Sequence, residues 1–587
     1  MKKYGIIIVA ILIISMLALV ACTESINPAK SASTSTPNAS TPSISTQDVE
    51  GSTQDIEIEE DEISEEFSLV DENGTPISAQ NGVYTITAAG TYTASGKLED
   101  GQIYINAPDL EVELVLEDVS ISSSSVSPIF VEDCDKVTIK AKKDTTNYIY
   151  DLRTTDYSDS TDETIGDSAI FVKNGNLKVS GKGTLTVTST HNSGIHGKDN
   201  VTIKNLTLLI KAMDNGIKGN DKVTIEEDPT IGIVCGNNGI RTSNSEISSK
   251  GNQQGYIYIL GGTITINSYG DGIDAAYAVE INSSTDEDGN TYTPVIDIYT
   301  NIYSSYSNTT SSSLSTSEEG LSLAGPGGFG GPGGNMAGGG FNGGGFAGET
   351  SKAAKAEDSA KGIKANEYIK ISDGTIFTYT YDDGLHTNND TLDTGTTASA
   401  TIYIEGGTIK IKASDDGIHA DGTLNISGGS VIVSESHEGI EGKIINITGG
   451  EVSVCGDDDG VNASSQINVS GGRLDVTVSG SGDTDGIDSN GSITITGGIV
   501  ITRGPNQEMA SPLDADGTIT ISGGTVIVVG YFSNAIRYSS LTKTTLSKGT
   551  ASGTFTVTAG GNTITYTNVT SYSGSVTVLS SSTATIQ

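Results

Sequence analysis

Apolar and polar residues alternate along this chain in runs of four or five, and the runs recur inside a fixed phrase. Residues 415–462 show it three times: a polar turn, Gly, an aliphatic residue, then I-x-[IV]-[ST]-G-G and a short alternating run. Period-two alternation marks strands with one buried face, and no stretch between the turns is long enough for a crossover helix. The turn aliphatic recurs at Ile129, Ile170, Ile195, Ile217, Ile240, Ile273, Ile363, Leu385, Ile418, Ile440, Val461, Ile487, Leu513 and Ile536, mostly in steps of 21 to 26 residues. GG pairs keep step at Gly406, Gly428, Gly449, Gly471, Gly497 and Gly523.

A unit of two or three short strands cannot bury its own apolar face, but stacking on neighbours about 4.8 Å away does so continuously. The pattern therefore predicts an all-β chain wound as a right-handed parallel β-helix of roughly a dozen or more coils. A β-propeller blade needs four strands and about 40 residues, about twice the observed period. In the β-helix the turn aliphatics stack inward, the Gly before each takes a backbone conformation closed to other residues, and the GG pair turns a corner. The β-helix body is predicted over 66–540, with a long loop insertion at 280–357 whose 324–348 stretch is Gly-rich. Residues 541–587 lose the phrase but keep the alternation, and are read as a C-terminal β cap over the exposed edge of the last coil.

Composition changes the picture at the N-terminus. Lys2 and Lys3 precede an apolar run from Ile6 to Val20, and Leu19-Val20-Ala21-Cys22 resembles a bacterial lipobox. Residues 1–22 are therefore expected to be a lipoprotein signal peptide, with Cys22 lipidated and the protein held at the extracellular face of the bacterial cell membrane. Residues 23–65, rich in Ser, Thr, Pro and acidic side chains, read as a disordered linker. Cys134, Cys235 and Cys455 remain, an odd number that argues against a disulfide framework. Cys235 and Cys455 occupy what looks like the same place in their repeats and are expected to pack as small apolar residues.

A net charge of -41 disfavours nucleic acid and anionic membrane surfaces as partners, so an acidic ligand needs a bridging cation or a local basic stripe. The residue after each turn aliphatic faces outward and is polar in nearly every coil, including Lys218, Arg241, Asp274, Lys364, His386, His419 and Asp488. The positions before the Gly carry Asn237, Asn238, Asp271, Asp415, Asp416, Asp458, Asp459 and Asp485. Asp and Asn make good turns, which accounts for part of this set. Its density is a further matter: carboxylates stacked at coil spacing repel unless cations intervene. Ca²⁺, which takes six to eight oxygen ligands, suits such a column. Zinc does not, because thiolate and His at zinc spacing are absent. Eleven of the 23 tyrosines, Tyr269 and Tyr277 among them, cluster between residues 256 and 381, where they suit either a stacking platform for sugar rings or simply strand propensity and a loop contact.

The stretches GVYTITAAGTYTASGKLEDGQIYI, ELVLEDVSISSSSVSPIFVEDCDKVTI, HNSGIHGKDNVTI and DNGIKGNDKVTI, with the repeated DGI and ISGG, resemble the bacterial carbohydrate-binding domain family of extracellular β-helix proteins. The resemblance covers roughly residues 65 to 587. It implies binding of cellulose or acidic sugars and a need for calcium. That family is similar in fold to the family-nine polysaccharide lyases, in which an Asp-rich coil binds Ca²⁺ and a Lys on the next coil removes the proton α to the uronate carboxyl. Carried over, the resemblance implies Asp271, Asp274 and Asn237 or Asn238 as Ca²⁺ ligands and Lys364 as the base, with Lys361 nearby. The pattern departs at Gly270, where a second Asp is expected, and at Asn237 and Asn238, where a carboxylate is expected.

The expectation is a calcium-dependent, carbohydrate-binding surface lipoprotein for cellulose or a uronate polysaccharide. The membrane is reached only through the lipid, and the oligomeric state is open. Candidate metal ligands are Asn237, Asn238, Asp271, Asp274, Asp415, Asp416, Asp458, Asp459, Asp485 and Asp488. Candidate substrate contacts are Lys218, Arg241, Lys361, His386, His419, Tyr269 and Tyr277. Alternatives are a calcium-dependent lyase using Lys364 and a structural adhesin or stalk. No nucleotide-binding loop, Ser-His-Asp arrangement or redox motif is present, and the GxGxxG-like strings lack a strand-turn-helix context.

Overall fold

The computed structural model describes residues 63, 65–154, 164–301, 359–478, 484–507 and 509–587. Expectations for the signal peptide, Cys22 and most of the linker fall outside these residues. The 303–359 segment is a unit of its own, of which only Ser359 is described; the Gly-rich stretch lies in the remainder.

The described residues contain strands and no helix, so none is long and apolar enough to cross a membrane. The chain is an all-β parallel β-helix whose strands form three ladders. The turn ladder joins Ser193–Gly197, Ile217–Gly219, Ile240–Arg241, Ile273–Ala275, Ile363–Ala365 and Leu385–Thr387 in parallel, rung upon rung. The second ladder joins Asn200–Lys204, Lys222–Glu226, Tyr256–Ile259, Ala278–Ile281 and Tyr368–Ile371. The third joins Thr207–Ala212, Thr230–Cys235, Thr263–Ser268, Val295–Thr300 and Thr375–Thr380. Because Val295–Thr300 is a full rung, the insertion begins later than the expected residue 280.

Alternation sets which side is buried: in Thr263–Ser268, Ile264, Ile266 and Ser268 point in while Thr263, Thr265 and Asn267 remain partly exposed. The turn aliphatics form an inward file, with Ile195, Ile217, Ile240, Ile273 and Ile363 fully buried. Each contributes roughly 1.5–3 kcal/mol of burial. The file ends at Leu513, which bridges to Ile487. Ile536 does not extend it, because Arg537 pairs with Thr520 in the second ladder.

Two glycine expectations resolve differently. The second Gly of each GG pair does turn the corner with a positive φ, as at Gly407 (79°), Gly429 (77°) and Gly450 (81°). The Gly before the turn aliphatic has no positive φ. A Cβ on Gly272 would instead collide with Ile298 Cγ2 and the carbonyl of Gly362 on the next coil. Cys235 and Cys455 also part company. Cys235 ends its strand facing the core, whereas Cys455 pairs with Thr477 and is only partly buried, its neighbour Gly456 taking the inward place. One extra residue between Cys455 and its turn aliphatic shifts the register.

At the C-terminal end Ser575–Ser580 runs antiparallel to Thr525–Gly530 and occupies the edge that a further parallel coil would use. Thr542–Leu546 adds to it, and Gly553–Ala559 with Asn562–Asn568 forms a hairpin packed on a small core shared with Ile501, Ile527, Val529, Val576 and Val578. Arg503, fully buried, fastens the hairpin through Asn568 (3.0 Å) and pairs with Asp475.

Candidate functional site

The turn corner is built from backbone first. In each coil the Gly N–H donates to the carbonyl of the residue before Gly on the next coil, as in Gly216 to Asn238, Gly239 to Asp271 and Gly384 to Asp416. The N–H of that preceding residue needs another acceptor, and a side chain one coil back supplies it. Asn238 Oδ1 accepts from Asp271 N–H (2.8 Å), Asp271 Oδ1 from Lys361 N–H (2.8 Å), Asp383 Oδ1 from Asp416 N–H (3.0 Å) and Asp459 Oδ1 from Asp485 N–H (2.7 Å). From Asn238 onward the Asp and Asn immediately before Gly are therefore a side-chain ladder that holds the coils in register, whereas the Oδ1 of Asn215 is buried without a hydrogen-bond partner among the described residues. The sequence carried the signal: this position prefers an acceptor, while the position after the aliphatic takes any polar residue.

On this scaffold the outward residues form one file: His196, Lys218, Arg241, Asp274, Lys364, His386, His419, Glu441, Asn462 and Asp488 are successive register partners. Its character changes along its length. At the N-terminal end His196 sits between Asp167 (2.8 Å) and Asn220 (3.0 Å). Burial lowers the pKa of Lys218, with Arg241 adding to the effect against the pull of Asp167.

In the middle, cations meet the carboxylates. Arg241 Nε lies 3.4 Å from Asp274, to which Asn238 also donates (3.2 Å), and Lys364 Nζ lies 3.7 Å from Asp271. Burial and then Asp271 raise the pKa of Asp274, with Lys364 and Arg241 opposing. Lys361 Nζ reaches Asp382 and Asp383, both at 2.8 Å. Burial opposes its charge, but the two carboxylates outweigh burial and hold it above the ordinary lysine range. The rings of His386 and His419 lie 4.6 Å apart, with His386 on Asp383 and His419 on Asp416 (3.0 Å), Glu441 (3.1 Å) and Asp421 (3.3 Å). Burial disfavours the imidazolium of His419, yet Asp416, Asp421 and Glu441 bring its pKa up to about 11.

At the C-terminal end the file turns acidic. Burial, then Glu441 and Asp416, push Glu438 up to about 8. Asp485, Asp488 and Asp514 bring carboxylate oxygens within 4.8 Å of one another. Burial and the neighbouring Asp459 push Asp485 and Asp488 up to about 7. On the rung beside Asp488, Asn462 Oδ1 is buried with no hydrogen-bond partner among the described residues.

A profile of the carbohydrate-binding domain-containing protein family matches residues 80–401 and 390–439. The chain belongs to this family. A carbohydrate-binding domain-containing protein of Acetivibrio thermocellus is 31% identical over 214 residues, 36% of this chain and 72% of the relative. A solved structure, described as the polysaccharide lyase-like protein from C. thermocellum in a gadolinium derivative, is 30% identical over 38% of this chain and 84% of that one, with a TM-score of 0.33. The family match takes in the lysine and histidine part of the file and stops before Asp485, Asp488 and Asp514.

The structure divides the expected metal ligands. Asp271 and Asp274 come together but face Lys364 and Arg241. Asn238 spends its oxygen on the backbone of Asp271, and Asn237 donates to Asp214 (2.8 Å). Asp415 joins Asp382 and Asp383, where Lys361 already sits; Asp416 serves His419, and Asp458 lies 3.7 Å from His437. Asp485 and Asp488 come together with Asp514, which was not in the expected set; Asp485 Oδ1 accepts from Ser511 N–H (2.5 Å), as the ladder requires, and its second oxygen is left for an ion. The tyrosines also divide. Tyr269 and Tyr381 flank the turn file, with Tyr379 nearby on the third ladder, all three exposed. Tyr277 belongs to a separate cluster on the second ladder with Tyr256 and Tyr368, ring centroids 5.1–6.4 Å apart.

Proposed function

We propose that this family member binds a polysaccharide along the turn file without cleaving it, with Ca²⁺ at the acidic end and the exposed tyrosines as a stacking border. The observation that carries this reading is the unbroken register from His196 to Asp488, which lines up polar side chains at coil spacing beside Tyr269 and Tyr381. Acidic sugars such as uronates suit the file best, because Lys218 and Arg241 can meet carboxylates directly.

Asp485, Asp488 and Asp514 supply oxygen donors alone, and Asn462 Oδ1 adds a neutral oxygen on the adjoining rung. That donor set fits Ca²⁺. Asp271 and Asp274 fit it less well, since built-in cations already face them. Ca²⁺ held at the triad would supply positive charge for sugar carboxylates and hydroxyls where the file is otherwise acidic.

Binding is favoured over lyase chemistry by distance. Lys364 stands five rungs from Asp488 and Lys218 eight, about 24 and 38 Å at ~4.8 Å per coil. No base on either lysine can share a substrate carboxyl with an ion at the triad. Tethering through a lipidated Cys22 at the outer face of the cell membrane would present the file to polymers outside the cell.

The test is retention of the full chain on cellulose and on polygalacturonate over a range of Ca²⁺ concentrations, with absorbance of unsaturated product followed in parallel. Calcium-enhanced retention without product is expected. Accumulation of product would establish the lyase, and a lower melting temperature on chelation with no polysaccharide retained would leave a structural stalk.

A further inference from the structure

We infer a second binding face, on the outer surface of the second ladder, that takes an anionic polysaccharide without calcium. The inference rests on the polysaccharide-binding reading and concerns a surface separate from the turn file.

Near the N-terminal end of the β-helix a concavity of about 870 Å³ is lined by seven lysines, among them Lys136, Lys140, Lys178 and Lys182, against two glutamates, Glu111 and Glu113. The whole chain has 32 Lys and Arg and a net charge of -41. Seven of those cations gather on one face, where six carboxylates pair with five of them and leave Lys178 and Lys182 as ammonium groups without an ion pair among the described residues, a local balance unlike that of so acidic a protein.

Some of these lysines have partners of modest strength. Lys142 contacts Glu117, Lys143 lies 3.7 Å from Asp144, and Lys204 contacts Glu227 and lies 3.5 Å from Glu226; Lys136 lies 3.9 Å from Glu111 and Lys140 3.5 Å from Glu113, with lysine side chains 42% and 47% exposed. Ion pairs so exposed are worth little and exchange readily for a ligand carboxylate. Lys178, partly buried, and Lys182, exposed, form no ion pair with any described residue.

The same face supplies the sugar chemistry that a bare cationic patch lacks. Lys178, Thr202, Thr224 and Tyr258 are successive register partners, so Lys178 and Tyr258 stand three rungs, about 14 Å, apart in one straight file. Tyr258 stacks on Tyr256 at 5.1 Å, and the cluster continues through Tyr368 to Tyr403, which is 38% exposed. Ammonium groups for carboxylates, followed along the coil axis by aromatic faces for pyranose rings, match an extended uronate polymer laid along the β-helix. The backbone of a nucleic acid would find the lysines, but the overall charge of the protein would oppose it over a longer length.

The experiment measures binding of polygalacturonate to the full chain in EDTA, against its fully methyl-esterified form and duplex DNA at the same ionic strength. Wild type is expected to bind polygalacturonate in EDTA, more weakly as salt rises, and to prefer it to the ester and to DNA. Lys178→Glu with Lys182→Glu should weaken that binding by about tenfold, and Lys178→Gln with Lys182→Gln by less, both variants melting at the wild-type temperature. No binding by wild type in EDTA, equal binding of the ester, tighter binding of DNA, or unchanged affinity in both double variants would each overturn the inference. The increment produced by adding Ca²⁺ back to wild type reports on the turn file separately, so either reading can fail without the other.

Discussion

At the scale of single residues, the turn corner asks two different things of its acids. The Asp or Asn directly before Gly holds the next coil's N–H, and this is a structural duty that any side chain with a suitably placed oxygen performs. Glu438 occupies that position with a longer side chain, buried near Glu441 and Asp416, and its pKa is raised to about 8 from an ordinary value near 4.3. Between those values the folded protein holds a proton that the unfolded chain has released, so the contribution of Glu438 to stability falls as pH rises through this window. In EDTA, Glu438→Gln is expected to melt roughly 1–2 °C above wild type at pH 8.5, with the gap closing near pH 4; a thermal scan at the two pH values checks it. An equal or lower melting temperature at pH 8.5 would show that the carboxylate is relieved in some other way. The divided duty also explains how far the site could be read from the sequence. The outward file was legible because period two fixes which side chains face out. Which carboxylates face a built-in cation was not, because Lys361 reaches Asp382 and Asp383 from the preceding coil, about twenty residues away in sequence.

At the scale of the coil, the repeat phrase fixed the ladders because each of its parts has a packing reason. The inward aliphatics and the GG corner follow from alternation and from φ, both local properties. The Gly before the aliphatic follows from close approach between coils, a tertiary property that reads in sequence only as an unexplained preference. That distinction predicts a substitution. A methyl on Gly439 would collide with Val454 Cγ1 and with the carbonyl of Gly460, so Gly439→Ala should destabilise by about 1–3 kcal/mol, measured as a shift in denaturant midpoint. A neutral result would mean that the coils can part slightly at the corner. Register slips have the same origin: the extra residue after Cys455 turns its thiol outward, and Ile536 resembles a turn aliphatic although Arg537 has already passed to another ladder.

At the scale of the whole molecule, stacking coils converts sequence order into position along an axis. The turn file passes from basic to acidic, and the second ladder passes from lysines to tyrosines, so a polymer lying parallel to the axis meets a graded surface on either face. The antiparallel strand Ser575–Ser580 covers the edge of the last coil, and the C-terminal hairpin is fastened by Arg503. The central claim is that Ca²⁺ held by Asp485, Asp488 and Asp514 strengthens polysaccharide binding along the turn file. Calorimetric titration of polygalacturonate into wild type and into Asp488→Asn with Asp514→Asn, each with and without Ca²⁺, tests it most directly. The account predicts that Ca²⁺ raises the affinity of wild type and that this increment is lost in the double variant. An increment of equal size in both proteins, or none in wild type, would contradict it.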